Sequence, residues 1–252
     1  MDDRSGPSRN RWDAATHGTG VHANNKTPDG VITYDDTLLD TEITTAAGLP
    51  VTTPERTAFD PARRGPVLQS VQRLDAPARA TGFAAEDALV VAQGHPRVRG
   101  LRRVSDVLDL VDKGGQSPKE TRLRLVLIDG GFTRPTTQMP LLRDDRYSWY
   151  FLDLGWRDRL LAVEYDGEQH RTDPRQFRAD VSRSEFIQSK GWYRISVLAG
   201  DRRPDIPRRV TQAGAPRVQQ PGVLQRKWPG RPFFFVDAER TQGFPRKSLR
   251  RF

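Results

Sequence analysis

The sequence predicts a mixed α/β protein whose organised part, residues 114–200, has the order helix, strand, strand, strand, helix, strand. Three observations predict it. Apolar residues recur at helical spacing in Leu123, Val126 and Leu127, and again in Phe177, Val181 and Ile187. Short apolar or alternating runs of strand length fall at 136–142, 147–154, 160–166 and 192–198. Glycines at the junctions (Gly114, Gly115, Gly130, Gly131, Gly167, Gly191) punctuate these segments.

Taken in order, residues 1–50 read as the irregular remnant of an N-terminal domain. Their first 30 residues are rich in Gly, Asn, Thr, Asp and Pro, and short strands are expected at Val31–Tyr34 and Ile43–Thr45. Residues 51–113 read as a helical linker region. Thr53 is placed to cap its first helix, with Pro54 at the first helical position and Glu55 in the first turn. Pro61 is expected to end or kink that helix. Further helices are expected at 66–80, shortened by Pro77, at 84–92 and at 98–111. His95, Arg97, Arg99, Arg102 and Arg103 in this region either touch phosphate or form a solvated face, and the solvated face is the simpler account. In the module, Ser117 caps a helix with Pro118 in its first turn, and Gly130 and Gly131 stop it. A long helix at 174–190 stops at Gly191. Beyond Gly200, seven prolines and scattered glycines break any periodicity, so 201–252 reads as a disordered basic tail.

Composition narrows the function classes. The chain has no cysteine, which excludes disulfides, thiolate zinc sites and a cysteine nucleophile. No run of 18 apolar residues is present and the N-terminus lacks a hydrophobic signal segment, so a cytoplasmic protein without a membrane span is expected. The tail holds 13 Lys and Arg against 4 Asp and Glu, which is the whole of the net charge of +9. Nucleic-acid binding by the neutral body therefore has to come from local patterning.

The stretch from Leu160 to His170, LLAVEYDGEQH, concentrates the candidate chemistry. Glu164 and Asp166 lie two apart on a strand and so share a face. With Asp153 on the preceding strand and Glu120 at the start of the first helix, carboxylates converge where only a cation lets them stay ionised. Magnesium suits such oxygen ligands, and His170 is suited to accept a proton from an attacking water. Each residue also has a plainer account. Ser117 and Glu120 fit a capping box, which explains Glu120 as well as catalysis does. Asp153 could pair with Arg157 or Arg159, Glu164 with Arg178 or Arg183, and Asp180 with Arg183 along one helix. Asp166 and Gly167 form a common turn pair. The tryptophans Trp149, Trp156 and Trp192 are accounted for by packing.

The stretch FLDLGWRDRLLAVEYDGEQHR, with D-V-S-R at 180–183 and GWYRISV at 191–197, resembles the DUF559 family of restriction-endonuclease-like proteins. That family is similar to very-short-patch-repair endonucleases within the PD-(D/E)xK superfamily. GLPVTTPERTAFD resembles the segment that precedes this module in actinobacterial relatives, where it closes a part similar to AbiEi-type antitoxin proteins. The resemblance implies a restriction-endonuclease-like α-β-β-β-α-β core, DNA as substrate and Mg²⁺, or Mn²⁺, as cofactor. It casts Asp153 and Glu164 as metal-binding acids, Glu120 as the helix acid, and Asp166 and His170 as supporting or proton-transferring residues. The superfamily's motif lysine falls at Asp166, so activation of water passes to His170. Arg178 and Arg183 are the expected DNA contacts. The expected function is a metal-dependent DNA endonuclease or nickase; the alternative is a DNA-binding or antitoxin-like regulator that keeps the fold without the activity.

Overall fold

The computed structural model describes residues 34–167 and 174–216. The first strands form a hairpin that the sequence half announces. β1 (Ile43–Ala46) pairs antiparallel with β2 (Leu49–Thr52) across Ala47 and Gly48, whose φ values of 50° and 77° give the two left-handed positions a tight hairpin turn needs. Tyr34 lies in no strand, and the rest of the segment expected at 31–34 falls outside the described residues.

α1 (Pro54–Arg63) begins as expected, with the Thr53 hydroxyl accepting the Arg56 N–H at 3.3 Å. Pro61 does not end it. Phe59 and Ala62 are fully buried on either side of the proline, and their packing outweighs the hydrogen bond it fails to donate. α2 (Val67–Thr81) likewise runs through Pro77 and stops at Gly82. α3 (Ala85–Gly94) follows. The helix expected over 98–111 shrinks to α4 (Val104–Leu108) after a 3₁₀ turn at Leu101–Arg103. Gly100 explains the loss: at φ 86° it approaches α1 so closely that a Cβ would lie 2.1 Å from the Arg63 carbonyl oxygen. The helices enclose a core that includes Phe59, Val71, Leu74, Val104 and Val107.

α5 (Pro118–Asp129) joins this region to the sheet because it is apolar on two sides. Leu125 and Ile128 enter the helical core, while Leu123, Val126 and Leu127 pack on the sheet. Buried Arg124 fixes the joint by donating to Asp75 of α2 at 2.8 Å and to the Leu110 carbonyl at 2.7 Å.

The sheet has the order β3 (Thr136–Leu142), β4 (Trp149–Trp156), β5 (Leu161–Asp166), β6 (Tyr193–Leu198). Its first two pairings are antiparallel; β5 and β6 are parallel, joined through α6 (Pro174–Ser189). β4 starts two residues later than expected because Asp145 holds the turn, accepting the N–H groups of Tyr147 and Ser148 at 2.9 Å each. Leu160, at φ 47°, belongs to the turn before β5. Trp156 and Trp192 are buried, whereas Trp149 is half exposed.

One correction concerns the tail. Residues Asp205–Gln212 form a helix, α7, whose Ile206 and Val210 are four apart and buried against the sheet with Leu123 and Val197. The Thr133 N–H then donates to the Pro216 carbonyl, so the module extends to about residue 216 and not to 200. α5 and α7 thus cover one face of the sheet. α6 covers the other through Ile187, which packs with Met139, Leu152, Ala162 and Trp192. Among the described residues no helix is long and apolar enough to cross a membrane.

Candidate functional site

The site grows from a defect in the sheet. β4 and β5 pair at Leu154–Val163, Gly155–Ala162 and Trp156–Leu161, and no further along the strands. Leu152 packs on the α6 face and Leu154 on the α5 face, although simple alternation would give them the same face. The strand therefore turns over at Asp153, which sits inside β4 and not at its end as expected. Opposite it by register is Gln138 of β3, at φ 47°, the other residue left out of the ladder. Irregularities of this kind re-aim a side chain. Here the Asp153 carboxylate takes over from the missing strand partner and accepts the Tyr165 N–H at 2.9 Å.

That bond does not settle its charge. Burial pushes the Asp153 carboxyl up to about 7, and the nearby Glu120 and Glu164 charges add to the rise; the Tyr165 N–H and the Arg183 charge oppose it. Neither Arg157 nor Arg159 answers it. Arg157 reaches the Met139 sulfur and the Pro140 carbonyl, and Arg159 lies beside Asp158.

Glu164 is 4% exposed and differently served. Arg183 of α6 donates to its Oε1 at 2.6 Å, and Arg194 of β6 donates to its Oε2 at 2.9 Å. Arg183 also donates to the exposed Phe151 carbonyl at 2.7 Å, so this expected DNA contact is engaged with the protein's own groups. Arg178 remains exposed on α6. The sequence reading missed Arg194. The available signal was a charged residue within a largely apolar strand, which needs an acid nearby.

Glu120 takes part in the cap of α5, although its carboxylate reaches the Gln116 N–H and not the Ser117 N–H of a capping box. The Ser117 hydroxyl donates to its Oε1 at 2.9 Å and accepts the Glu120 N–H at 3.2 Å. Its Oε2 accepts the Gln116 N–H at 3.1 Å and the Gln138 amide at 3.2 Å. Gln138, also missed, thereby links the helix acid to the strand position facing Asp153. Asp166 is half-buried at the end of β5, opposite Leu198. His170 lies outside the described residues.

The helical region holds a second polar cluster where the sequence suggested a solvated face. His95 is buried, with its Nε2 2.6 Å from Glu42 Oε1 and 3.1 Å from Arg56 Nη1. Arg56 also donates to Asp60 and the Thr37 carbonyl. This cluster ties the hairpin to α1 and α3.

Among the described residues no three His, Cys, Asp or Glu side chains group closely enough to hold a metal ion by themselves. Asp153 and Glu164 offer two hard oxygen donors. Carboxylate oxygens have more than one acceptor direction each, so the arginines do not exhaust Glu164. The pair fits an ion that takes one or two carboxylates and completes its shell with water and phosphate, as magnesium does.

The chain is 30% identical over 156 residues to two Mycobacterium tuberculosis proteins, uncharacterized protein Rv2248 of strain H37Rv and uncharacterized protein MT2308 of strain CDC 1551. The matched residues make up 62% of this chain and 57% of each curated relative, so the chain spans little more than half the length of the proteins it matches. No family model and no solved structure matches it.

Proposed function

We propose that the module is a restriction-endonuclease-like nuclease core that hydrolyses phosphodiester bonds of DNA with the help of magnesium or manganese. The observation that carries the reading is Asp153: a half-buried carboxyl pushed up to about 7, beside two other acids, where the sheet opens. A dication at Asp153 and Glu164 would supply positive charge and an activated water there. The chain's own residues then divide the work. Asp153 and Glu164 bind the ion, Arg183 and Arg194 hold the Glu164 carboxylate in its orientation, and Glu120 and Gln138 fix the position beside Asp153. Asp166 supports the strand end, and His170 is assigned the proton from water. Arg178 supplies a phosphate contact.

One observation favours a second reading. Both Glu164 oxygens already have arginine partners, which is what a DNA-binding or antitoxin-like regulator without activity would retain. Supercoiled plasmid incubated with the chain, with and without Mg²⁺ or Mn²⁺, separates the two. The nuclease reading expects metal-dependent nicking that is abolished in Asp153→Asn and Glu164→Gln. Binding without cleavage under all metal conditions would transfer the assignment to the regulator. Cleavage that survives Glu164→Gln would remove the site assignment.

A further inference from the structure

On the sheet face opposite α6, beside the strand that carries Glu164, lies a cavity of about 530 Å³ that the chemistry above does not use. It opens on the α5/α7 face, at the carboxyl ends of the parallel strands β5 and β6, where ligands of open α/β sheets commonly sit. Its floor is apolar, with Leu123, Val126, Val197 and Ile206 around the Tyr165 ring. Its rim is cationic, formed by Lys119, Arg122, Arg202 and Arg203. Asp201, the one acidic lining residue among the described residues, is matched by Arg209 at 2.7 Å and accepts the Leu198 N–H at 3.1 Å. Arg203 pairs with Asp129, outside the lining. Among the described residues the lining thus holds four basic side chains and one acidic one.

Two residues connect this cavity to the acids. Tyr165 lies between Glu164 and Asp166 in β5, and its N–H is the one Asp153 accepts. Lys119, with its ammonium 5.9 Å from the Tyr165 ring centroid, precedes Glu120. An aromatic, apolar floor beneath a ring of cations suits a ligand with a flat apolar part and an anionic part.

We propose that this cavity binds a single nucleotide of the nucleic-acid substrate, its base against the floor beside Tyr165 and its phosphate on the rim beside Arg122 and Arg202. The proposal rests on the nuclease reading for the identity of the substrate. It adds that the substrate enters with a nucleotide out of the base stack, so a strand with an unpaired nucleotide is preferred over a continuous duplex.

The test uses the full chain in EDTA, so that its outcome is independent of metal-dependent cleavage. Deoxyadenosine 5′-monophosphate, deoxyadenosine and inorganic phosphate are titrated separately by calorimetry. The nucleotide is expected to bind at least about ten-fold more tightly than either fragment, because only it uses floor and rim together. Arg202→Glu, at an exposed position, is expected to weaken it about ten-fold, and Arg122→Gln by several-fold; circular dichroism checks the fold of both. Phosphate binding as tightly as the nucleotide would reduce the cavity to a general anion patch and overturn the proposal. So would nucleotide binding unchanged in both folded arginine variants, or no saturable binding at all. A chain that binds the nucleotide but never cleaves DNA would keep the cavity and lose the nuclease reading.

Discussion

Glu42 in the helical region is buried and Asp153 in the sheet half-buried, yet their acidities move in opposite directions. Burial works against the Glu42 charge, but His95, the Leu39 N–H and Arg56 outweigh it, and its pKa falls below the ordinary value. Asp36 nearby behaves in the same way, with Arg64 and Arg63 overcoming its burial. Asp75 receives Arg124, the Thr121 hydroxyl and the Asp112 N–H. At Asp153 the neighbours are acids, and the pKa rises to about 7. The fold answers buried charge locally where only packing is at stake. At the opened sheet it leaves one carboxyl under-compensated, which is the pattern expected of a site that receives a cation.

The comparison breaks most severely at Arg56. Arg56→Met strands Glu42 in the interior with His95 as its remaining side-chain partner, and a loss of about 3–5 kcal/mol in urea unfolding is expected. A loss below about 1 kcal/mol would mean that the cluster is solvated and not structural. Asp153→Asn should act in the opposite direction. The folded-state pKa of about 7 lies above the ordinary 3.8, so the folded chain keeps a proton that the unfolded chain releases. The wild type therefore loses stability as pH rises across that window, by up to about 4 kcal/mol in total. The amide has no proton to lose, so denaturation curves should show Asp153→Asn gaining on the wild type toward pH about 8 and the gap closing toward pH about 4. A smaller effect is expected at Ser117, whose hydroxyl caps α5 and holds Glu120. Thermal unfolding of Ser117→Ala should report a loss of about 1 kcal/mol. Smallest in stability is Arg178→Gln on exposed α6, within about 0.5 kcal/mol of wild type. Its DNA affinity should nonetheless fall, with a salt dependence shallower by about one ion.

How much of this was legible in the sequence depended on whether the cause was local. The Ser117 and Thr53 caps, the four main strands and the length of α6 follow from short-range chemistry, and the structure has them with shifts of one or two residues. Glu164 with Arg183 was among the pairings that helix and strand order allowed. Arg194 stood out as a charge within a strand, but its pairing with Glu164 depends on the parallel register of β5 and β6, which no local pattern specifies. The reversal of strand faces at Asp153 and Gln138 was equally invisible, because alternation is the assumption by which strands are read. Helix α7 was hidden by the arginines and prolines around Ile206 and Val210, two apolar residues whose spacing matters only once the sheet lies beneath them. Pro61 and Gly100 erred in opposite senses: tertiary packing carried α1 through its proline, and a close backbone approach cut short a helix whose periodicity was sound.

The central claim is that Asp153 awaits a dication. Thermal unfolding of the wild type and of Asp153→Asn at pH about 8, each with and without magnesium, tests it without requiring a DNA substrate. Magnesium should raise the Tm of the wild type and leave that of Asp153→Asn where it is. An equal rise in both proteins, or none in either, would contradict the account.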